Sequence, residues 1–285
     1  MNQQRPVIFG EVLFDCFPNG KTVLGGAPFN VAWHLQNRDC EPLLISSVGN
    51  DKNGEAVRQA MSKQGMDTVG LQTSEHYPTG QVVVSIEAGQ PSYEIVTDQA
   101  YDHIDHRHAL QLLEKLTPAL IYHGSLALRN AASRAALDAI VENARAPVFL
   151  DVNLRDPWWD MALLKGILQR ATWVKLNDEE LCTISGQPVS NGPELQTYAK
   201  NIFTDSRLES LIVTRGDKGA FVVCEEGIVE GAPVPVENVV DTVGAGDAFS
   251  AICIEGIIKK RPIVDTLDQA LTFAARICQQ QGATG

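Results

Sequence analysis

The sequence lacks the features that mark several large classes of protein. Nowhere in its 285 residues does an apolar run approach the length of a membrane span, and the first residues lack the apolar region of a signal peptide. The 23 basic residues are outnumbered by 35 acidic ones, which leaves a net charge of −12. An acidic surface disfavours nucleic acid and anionic membranes as partners, because both require a basic face. These absences predict a cytoplasmic protein with neither nucleic acid nor membrane as a partner.

Two common kinds of site are also missing. The six cysteines are scattered and form no Cys-x-x-Cys pair, so reduced thiols, several of them in apolar stretches, are predicted rather than a zinc site. The phosphate-binding motif Gly-x4-Gly-Lys-Ser/Thr is absent. Gly244 and Gly246 do not start a dinucleotide fingerprint, because Phe249 stands where the third glycine belongs. Any phosphate site must therefore have another design.

Short apolar runs alternate with helical patterns along most of the chain. Strands are predicted over residues 7–9, 43–48, 119–122, 148–151, 172–176 and 211–213, and helices over 27–35, 54–64, 131–142, 195–201 and after Gly246. This order predicts an α/β fold with a central, mostly parallel sheet and helices on both faces, within a single domain spanning residues 1–285. Ligands in such folds gather at the carboxyl ends of the strands.

One region breaks the alternation. Residues 81–86 and 92–96 read as a hairpin with its turn at Gly89, and residues 11–24, with a turn at Gly20, can pair with it. We expect the segments at about 11–24 and 79–101 to form a small antiparallel sheet that acts as a lid over a ligand. An ordinary surface hairpin is the alternative. The open edges of such a sheet could pair between subunits and form a homodimer.

The most informative segment, residues 241–251, reads Asp-Thr-Val-Gly-Ala-Gly-Asp-Ala-Phe-Ser-Ala. Gly244 and Gly246 carry no Cβ and allow the backbone to approach a ligand closely. A helix that begins here directs N–H groups and partial positive charge, around Ala245, at whatever lies in the loop. Asp247 can take a proton from an alcohol while those amides hold negative charge on a transferring phosphoryl group. The alternative is a carboxylate in the first turn of an ordinary helix.

With its flanks, this segment resembles the second signature of the ribokinase-like (PfkB) sugar kinases. Other stretches resemble the family in order over nearly the whole chain: residues 10–15 (Gly-Glu-Val-Leu-Phe-Asp), 25–30 (Gly-Gly-Ala-Pro-Phe-Asn) and 48–54 (Val-Gly-Asn-Asp-Lys-Asn-Gly). The resemblance implies that Asp15 and Asn30 bind sugar hydroxyls and that Gly25 and Gly26 form the hinge of the lid. It also implies the ribokinase-like fold. The third stretch is interpreted as a structural turn between a strand and a helix.

Two further segments carry expected ligand contacts. Residues 151–155, Asp-Val-Asn-Leu-Arg, resemble the fructokinase and ketodeoxygluconate kinase branch, in which Arg155 would reach the substrate or the transferring phosphate. Asn177 and Glu180 resemble the family's Asn-x-x-Glu motif, and on one helix face they would organise Mg²⁺ largely through its waters. The plainer interpretation of that pair is a helix N-cap with acids in the first turn, which is compatible with the first.

A nucleotide loop is expected after the strand that ends near Val213. Thr214, Gly216 and Gly219 resemble the family's loop against phosphate and ribose, although a plain hairpin turn is the alternative because another strand follows. The resemblance further implies a potassium ion near Asp241, held with backbone carbonyls. The His- and Asp-rich residues 102–108 have the density of a metal site but the wrong spacing, and they are interpreted as a solvated helix start.

Taken together, the resemblance implies a sugar kinase that uses ATP and Mg²⁺, with fructose as the best match. Kinases of the same fold acting on 2-keto-3-deoxygluconate, ribose or a nucleoside are the alternatives. A sugar phosphate is disfavoured, because residues 79–102 contain neither Lys nor Arg. A sugar sensor without catalysis is the alternative from another class, but such a protein would be expected to lose Asp247 or the glycines before it.

Overall fold

The computed structural model describes residues 5–87, 90–190 and 192–284. Its contacts divide the chain into two compact units. The first unit contains the described residues up to Ile121 together with Ala127–Ala146 and Thr284, and the second contains Tyr122–Leu126 and the described residues of Pro147–Ala283. Among the described residues, no helix is both long enough and apolar enough to cross a membrane.

Strands and helices alternate along the chain much as the apolar pattern predicts. The strands are β1 (Arg5–Phe9), β2 (Leu13–Cys16), β3 (Thr22–Gly25), β4 (Leu43–Gly49), β5 (Leu71–Ser74), β6 (Gly80–Glu87), β7 (Gln90–Ile95), β8 (Pro118–His123), β9 (Val148–Asp151), β10 (Trp173–Asn177), β11 (Ser210–Thr214), β12 (Ala220–Cys224) and β13 (Gly227–Gly231). The helices are α1 (Ala27–Gln36), α2 (Lys52–Lys63), α3 (His106–Leu113), α4 (Ala131–Ala144), α5 (Met161–Leu168), α6 (Asp178–Ser185), α7 (Glu194–Ser206), α8 (Ala245–Ile258) and α9 (Ile263–Ile277).

The main sheet of the first unit is built from parallel strands. β1 pairs with β4, and β4 pairs with β5, both in parallel. β4 is buried along its whole length, as expected of a parallel strand covered on both faces. The helix α2 then begins at Asp51, whose carboxylate accepts a hydrogen bond of 2.8 Å from the amide of Gly54.

A smaller sheet in the first unit has the strand order β3-β2-β6-β7. The two outer pairs are antiparallel, as predicted, but the central pair of β2 and β6 is parallel. Along β6, Val82 and Val84 are buried and Val83 is exposed, which is the period of two expected of a strand with one covered face. The predicted small sheet is therefore confirmed. Gly89, the predicted turn residue, lies outside the described residues.

The sheet of the second unit has the order β13-β12-β11-β10-β9. β9, β10 and β11 are parallel, and β12 and β13 add antiparallel strands beyond them. The expected mostly parallel α/β architecture is confirmed. Three residues singled out by the motifs, Asp151, Asn177 and Thr214, are the last residues of the three parallel strands. They therefore lie at the edge where ligands of such sheets gather.

α8 closes the second unit and begins within the glycine-rich segment. From Ala248 to Gly256 every residue is buried, and the helix packs against α9. Apart from Ser250 and Glu255 these residues are apolar, so α8 is held in the interior by packing over most of its length. The six cysteines are free thiols; Cys182, Cys224 and Cys253 are buried as predicted, and the other three are half-buried.

Candidate active site

The start of α8 is a glycine-rich turn with a left-handed N-cap residue. Gly244 is the N-cap residue, with φ 81° in the left-handed region, and within the described part of the chain no side chain caps this helix. The carbonyl of Gly244 accepts the first helical hydrogen bond from Ala248 at 2.9 Å. The amide of Ala245 donates a long bond of 3.3 Å to the carbonyl of Thr242. Gly246 is exposed and Asp247 half-buried, so the first turn faces open space with its positive end.

The loop before this turn is fastened to the segment that follows α9. The amides of Val240 and Asp241 donate to the carbonyl of Cys278 at 2.8 and 3.3 Å. The carboxylate of Asp241 accepts from Val243 at 3.0 Å and from Gly282 at 3.2 Å. Both oxygens of Asp241 thus hold the loop in place, and its predicted role at a potassium ion stays a prediction.

A buried ion pair lies beside the first turn of α8. Lys175 of β10 is the register partner of Asp151 of β9, and its Nζ lies 3.0 Å from each carboxylate oxygen. The hydroxyl of Ser250, on α8, donates to Oδ2 of the same carboxylate at 2.7 Å. An ideal Cβ built on Gly246 would lie 3.1 Å from Nζ of Lys175. Strands and helix are therefore joined by one polar network at the carboxyl edge of the sheet.

Electrostatics keeps this lysine charged. Burial opposes the charged form, but the negative charges of Asp151, Glu180 and Asp247 outweigh it and raise the pKa of Lys175. For Glu180, burial is the largest cause and raises the pKa of its carboxyl, against the opposing effect of Lys175. Burial also raises the pKa of the Cys253 thiol to about 12, so that this neighbour stays protonated.

The Asn-x-x-Glu pair forms a capping box, which confirms the plainer of the two interpretations. The side chain of Asn177 accepts from the amide of Glu180 at 2.7 Å, and Glu180 accepts from the amide of Asn177 at 2.8 Å. The second oxygen of Glu180 accepts from the amide of Leu154 at 2.8 Å. Glu180 therefore also positions the loop that leads to Arg155, whose side chain is exposed.

These residues fit Mg²⁺ only as outer ligands. Across residues 5–87, 90–190 and 192–284, no group of three His, Cys, Asp or Glu side chains is arranged to hold a metal ion. Both oxygens of Glu180 already accept backbone hydrogen bonds. A magnesium ion here would keep most of its waters and take its other ligands from phosphate, which is the usual manner of this ion.

The segment predicted as a nucleotide loop is a tight hairpin between β11 and β12. Thr214 is the register partner of Asn177, and its hydroxyl donates to the carbonyl of Leu176 at 3.4 Å. Gly216 and Gly219 both have positive φ, 57° and 82°. A Cβ on Gly219 would overlap the carbonyl oxygen of Gly231 on β13, so packing alone requires a glycine there. Contact with a nucleotide stays a prediction.

The predicted sugar-binding residues lie in the first unit. Asp15 is half-buried on β2, and an ideal Cβ on Gly25 would lie 3.8 Å from its carboxylate. Gly26, with φ 105°, is the N-cap residue of α1, and a Cβ there would come within 2.7 Å of the carbonyl oxygen of Glu11. Asn30 is buried in the same helix. The structure explains Gly26 by close backbone approach, while the hinge role remains a prediction.

The Val-Gly-x-Asp segment fastens the entry to β6. One carboxylate oxygen of Asp51 accepts from the amide of Thr79 at 2.8 Å and the other from the Thr79 hydroxyl at 2.7 Å. That hydroxyl accepts in turn from the amide of Gly49 at 3.0 Å. Burial favours protonated Asp51, but these bonds and one from Gly54 outweigh it and lower the pKa of the carboxyl. The structural interpretation of this segment agrees with these contacts.

The histidine-rich segment has a buried first part and a solvated helix start. Asp102 is buried and accepts from Arg129 at 2.7 Å through both of its oxygens. Arg129 also donates to the carbonyl of Val96 at 2.6 Å, just after β7. His103 stacks on Tyr77 with ring centroids 3.6 Å apart. The predicted solvated helix start is confirmed at residues 105–108, where α3 begins at His106. It is wrong for Asp102, because the partner of that residue, Arg129, lies 27 residues away in the sequence.

Four residues of these networks were given no role at the site by the sequence-based predictions: Lys175, Ser250, Thr79 and Arg129. Only Lys175 carries a clear signal, since a charged residue inside the apolar run 172–176 of a buried strand needs a partner. The register of two parallel strands supplies that partner, and no local pattern reveals it. Chemically, the start of α8 combines an anion-binding turn, a carboxylate at Asp247 and a buried ammonium, which together suit proton abstraction next to a phosphoryl group.

Comparison with known proteins finds matches over nearly the whole chain. A family model described as pfkB family carbohydrate kinase matches residues 14–285. The fructokinase of Salmonella typhimurium is 30% identical over 287 residues, which cover 94% of this chain and 89% of that protein. An uncharacterized sugar kinase of Pyrococcus horikoshii, solved in complex with ATP, matches with a TM-score of 0.82 and 27% identity over 98% of this chain and 94% of that one.

A third match adds a likeness of fold alone. A double mutant of the fructokinase from Vibrio cholerae, solved with fructose, ADP and potassium ion, has a TM-score of 0.82 at 24% identity. The match covers 99% of this chain and 94% of that chain. The α/β class with its smaller sheet is thus shared with solved structures over nearly the full length.

Proposed function

Because the chain belongs to the pfkB family of carbohydrate kinases, we propose that it transfers the γ-phosphate of ATP to a hydroxyl of fructose. The family accounts for the coarser activity, that of a sugar kinase. The observation that carries the proposal is the first turn of α8, where exposed Gly246 and half-buried Asp247 adjoin the ammonium of Lys175. That turn offers a proton acceptor and an anion site within two consecutive residues.

In the proposed reaction, Asp247 takes the proton from a hydroxyl of the sugar as its oxygen attacks the γ-phosphorus in line. The O–P bond to the sugar forms while the bond between the γ-phosphorus and the bridging oxygen breaks, and ADP leaves with that oxygen. The amides of Gly246 and Asp247, with that of Ala245 beside them, hold the negative charge that develops on the transferring group. Arg155, which is exposed in the loop between β9 and α5, is proposed to approach the transferring phosphoryl group.

Cations complete the proposal. Mg²⁺ neutralises charge on the phosphates. Asn177, at the carboxyl end of β10, and Glu180, in the first turn of α6, are proposed to hold the water shell of this ion. Thr214, Gly216 and Gly219 are proposed to contact the nucleotide. A potassium ion near Asp241 is proposed on the family resemblance, supported by the potassium present in the Vibrio cholerae structure.

The sugar end of the site is proposed in the first unit. Asp15 and Asn30 would bind hydroxyls, and the sheet of β3, β2, β6 and β7 would act as a lid that turns at Gly25 and Gly26 and excludes water from ATP. Support comes from the pairing of β2 with β3, in which Leu13 lies opposite Gly25 and Asp15 follows two residues later on the same strand. The two edges of this sheet, β3 and β7, are proposed as the contact of a homodimer.

Fructose is proposed over other sugars because the relative from Salmonella typhimurium is a fructokinase at 30% identity. A kinase acting on 2-keto-3-deoxygluconate is the second candidate. The exposed guanidinium of Arg155 favours it, since the carboxylate of that substrate needs a cation and a planar fork binds it well.

The test is ADP release from Mg-ATP with a panel of acceptors, each with and without potassium. The panel contains fructose, glucose, ribose, 2-keto-3-deoxygluconate, fructose 6-phosphate, adenosine and buffer without acceptor. We expect turnover that depends on fructose. Turnover with 2-keto-3-deoxygluconate in place of fructose would agree with the proposed phosphoryl transfer. It would assign Arg155 to recognition of the substrate carboxylate. Silence with every acceptor would contradict the proposal.

A further inference from the structure

Lys175 is a charged residue in the middle of a buried strand. Its neighbours on β10, Val174 and Leu176, are fully buried, and its own side chain is only 9% exposed. Taking an ammonium out of water costs several kcal/mol unless a partner compensates for it. A buried apolar residue would serve the sheet better, so the presence of a lysine calls for a reason other than the stability of the strand.

Its partners connect it to one face of α8. Asp151 holds the ammonium with both oxygens at 3.0 Å, and Ser250 donates to the same carboxylate at 2.7 Å. Ser250 follows Gly246 by four residues, so the two lie on the same face of the helix, one turn apart. The ion pair therefore contacts α8 in two successive turns, beside Gly246 in the first and through Ser250 in the second.

The contact with Gly246 fixes where the positive charge lies. An ideal Cβ on Gly246 would lie 3.1 Å from Nζ, a tight contact, so a glycine leaves the ammonium room beside the backbone of the first turn. A cation at the N-terminal end of a helix is unfavourable, since that end already carries partial positive charge. The same arrangement becomes favourable once an anion occupies the turn. The carboxylates of Asp151, Glu180 and Asp247 already favour the ammonium here, and an anion bound in the turn would favour it further.

We propose that Lys175 is a positioning residue for phosphoryl transfer. Held by Asp151, it supports the first turn of α8 from within the unit and adds fixed positive charge behind the amides of Gly246 and Asp247. Its effect is greatest when negative charge develops on the transferring group, so it raises kcat and leaves the affinity for ATP nearly unchanged. The inference rests on the proposed phosphoryl transfer but not on fructose as the acceptor.

Three variants separate charge from folding. Lys175→Met alone leaves Asp151 buried without its cation and is expected to destabilise the protein. Lys175→Met combined with Asp151→Asn removes both charges and keeps an acceptor for the Ser250 hydroxyl, so its melting temperature should lie close to that of the wild type. Lys175→Arg keeps the charge and should recover part of the activity. Lys259→Met is the matched control, because Lys259 pairs with Glu255 at the opposite end of the same helix.

Two measurements are made on each protein: kcat and KM for ATP with the best acceptor of the panel, and the affinities for ADP with and without aluminium fluoride, a mimic of the transferring group. For the double variant we expect kcat to fall about 100-fold or more, with KM for ATP within about threefold. Its affinity for ADP with aluminium fluoride should fall by a similar factor, while its affinity for ADP alone stays the same. Lys259→Met should match the wild type in both measurements.

The outcomes distinguish this proposal from the proposed function. If the wild type turns over with another acceptor and not with fructose, the proposal of fructose as the substrate is contradicted and the inference about Lys175 is unaffected. A double variant that keeps kcat within about threefold of the wild type overturns the role of Lys175 while the kinase assignment stands. If no acceptor gives turnover, the binding measurement decides: equal affinities for ADP with aluminium fluoride in the wild type and the double variant overturn the inference about Lys175.

Discussion

Gly244 lies so close to Ala283 that a Cβ on the glycine would overlap both the Cβ and the Cα of the alanine. Ala283 is itself buried and lies five residues after Cys278, the C-cap residue of α9. The glycine that begins the anion-binding turn is therefore required twice over, by its positive φ and by its neighbour. Packing after α9 and the shape of the turn are linked through this one contact.

Replacing Gly244 by alanine should destabilise the protein and lower kcat together. Gly20→Ala is the matched control, because Gly20 has nearly the same φ, 80° against 81°, while its Cβ would meet no described atom within 4 Å. Strained backbone alone should cost about 1–3 kcal/mol in either variant. Chemical unfolding and steady-state kinetics measure the two variants. Gly20→Ala should keep more of the wild-type stability and more of the wild-type kcat than Gly244→Ala. Equal losses in the two variants would show that the contact with Ala283 is unimportant.

Asp247→Asn should retain sugar binding and lose turnover by at least about 100-fold, because it removes the proposed proton acceptor without changing the shape of the side chain. Asp265→Asn is the control: Asp265 is the third residue of α9, as Asp247 is of α8, and both variants lose the interaction of a carboxylate with a helix N-terminus. Kinetics together with binding calorimetry decides. Activity within a few-fold of the wild type in Asp247→Asn would remove the base assignment.

Two arginine–carboxylate pairs should differ strongly in their contribution to stability. Arg129 and Asp102 have side chains 6% and 2% exposed, whereas Arg215 and Glu230 are 21% and 47% exposed. Both arginines also lie over an aromatic ring, at 5.2 and 5.3 Å from the centroids, so the variants are well matched. Arg129→Met should cost about 3–5 kcal/mol, because Asp102 remains buried without its cation, and Arg215→Met about 0–1 kcal/mol. Urea unfolding measures both, and similar values would contradict this view.

Asp51 should make stability depend on pH in acid. Its hydrogen bonds hold the pKa of the carboxyl below its ordinary value, so its contribution is present above that value and is lost as the pH falls through the lower pKa of the folded state. Asp51→Asn, which has no second oxygen to accept from the amide of Thr79, should therefore be less stable than the wild type at pH 7. The difference should shrink below about pH 4.

A control for this prediction is Asp160→Asn, since Asp160 caps α5 by accepting a hydrogen bond of 2.8 Å from the amide of Leu163. Urea unfolding at pH 7 and at pH 3 should show a larger pH-dependent difference for the Asp51 variant. The interpretation of Asp51 as a fastener for β6 fails if the two variants behave alike.

Much of the fold could be predicted, because its strands are short apolar runs separated by helical patterns. The run 148–151 is predicted to the residue, and the run 172–176 differs from β10 by one residue at each end. β5 was not predicted, since Leu-Gln-Thr-Ser alternates too weakly to be read as a strand. The parallel pairing inside the small sheet was also missed. Which strands pair, and in which direction, depends on distant parts of the chain.

The candidate site divides in the same way. The glycines and Asp247 could be singled out, because an anion-binding turn is a local pattern of backbone freedom and charge. The partners of Lys175 and Arg129 could not, because each finds its carboxylate more than twenty residues away through strand register or tertiary packing. The capping box of Asn177 and Glu180 is again local, and its simpler interpretation is the one that the structure supports.

The route of the chain between the two units has a consequence for dissecting the protein. Tyr122–Leu126 belong to the second unit although the residues on either side belong to the first. Within that pentapeptide, the hydroxyl of Ser125 donates to the carbonyl of Asn153 at 3.2 Å. A gene cut between Ala146 and Pro147 would yield a carboxyl-terminal fragment without this piece, so neither half would be a complete module.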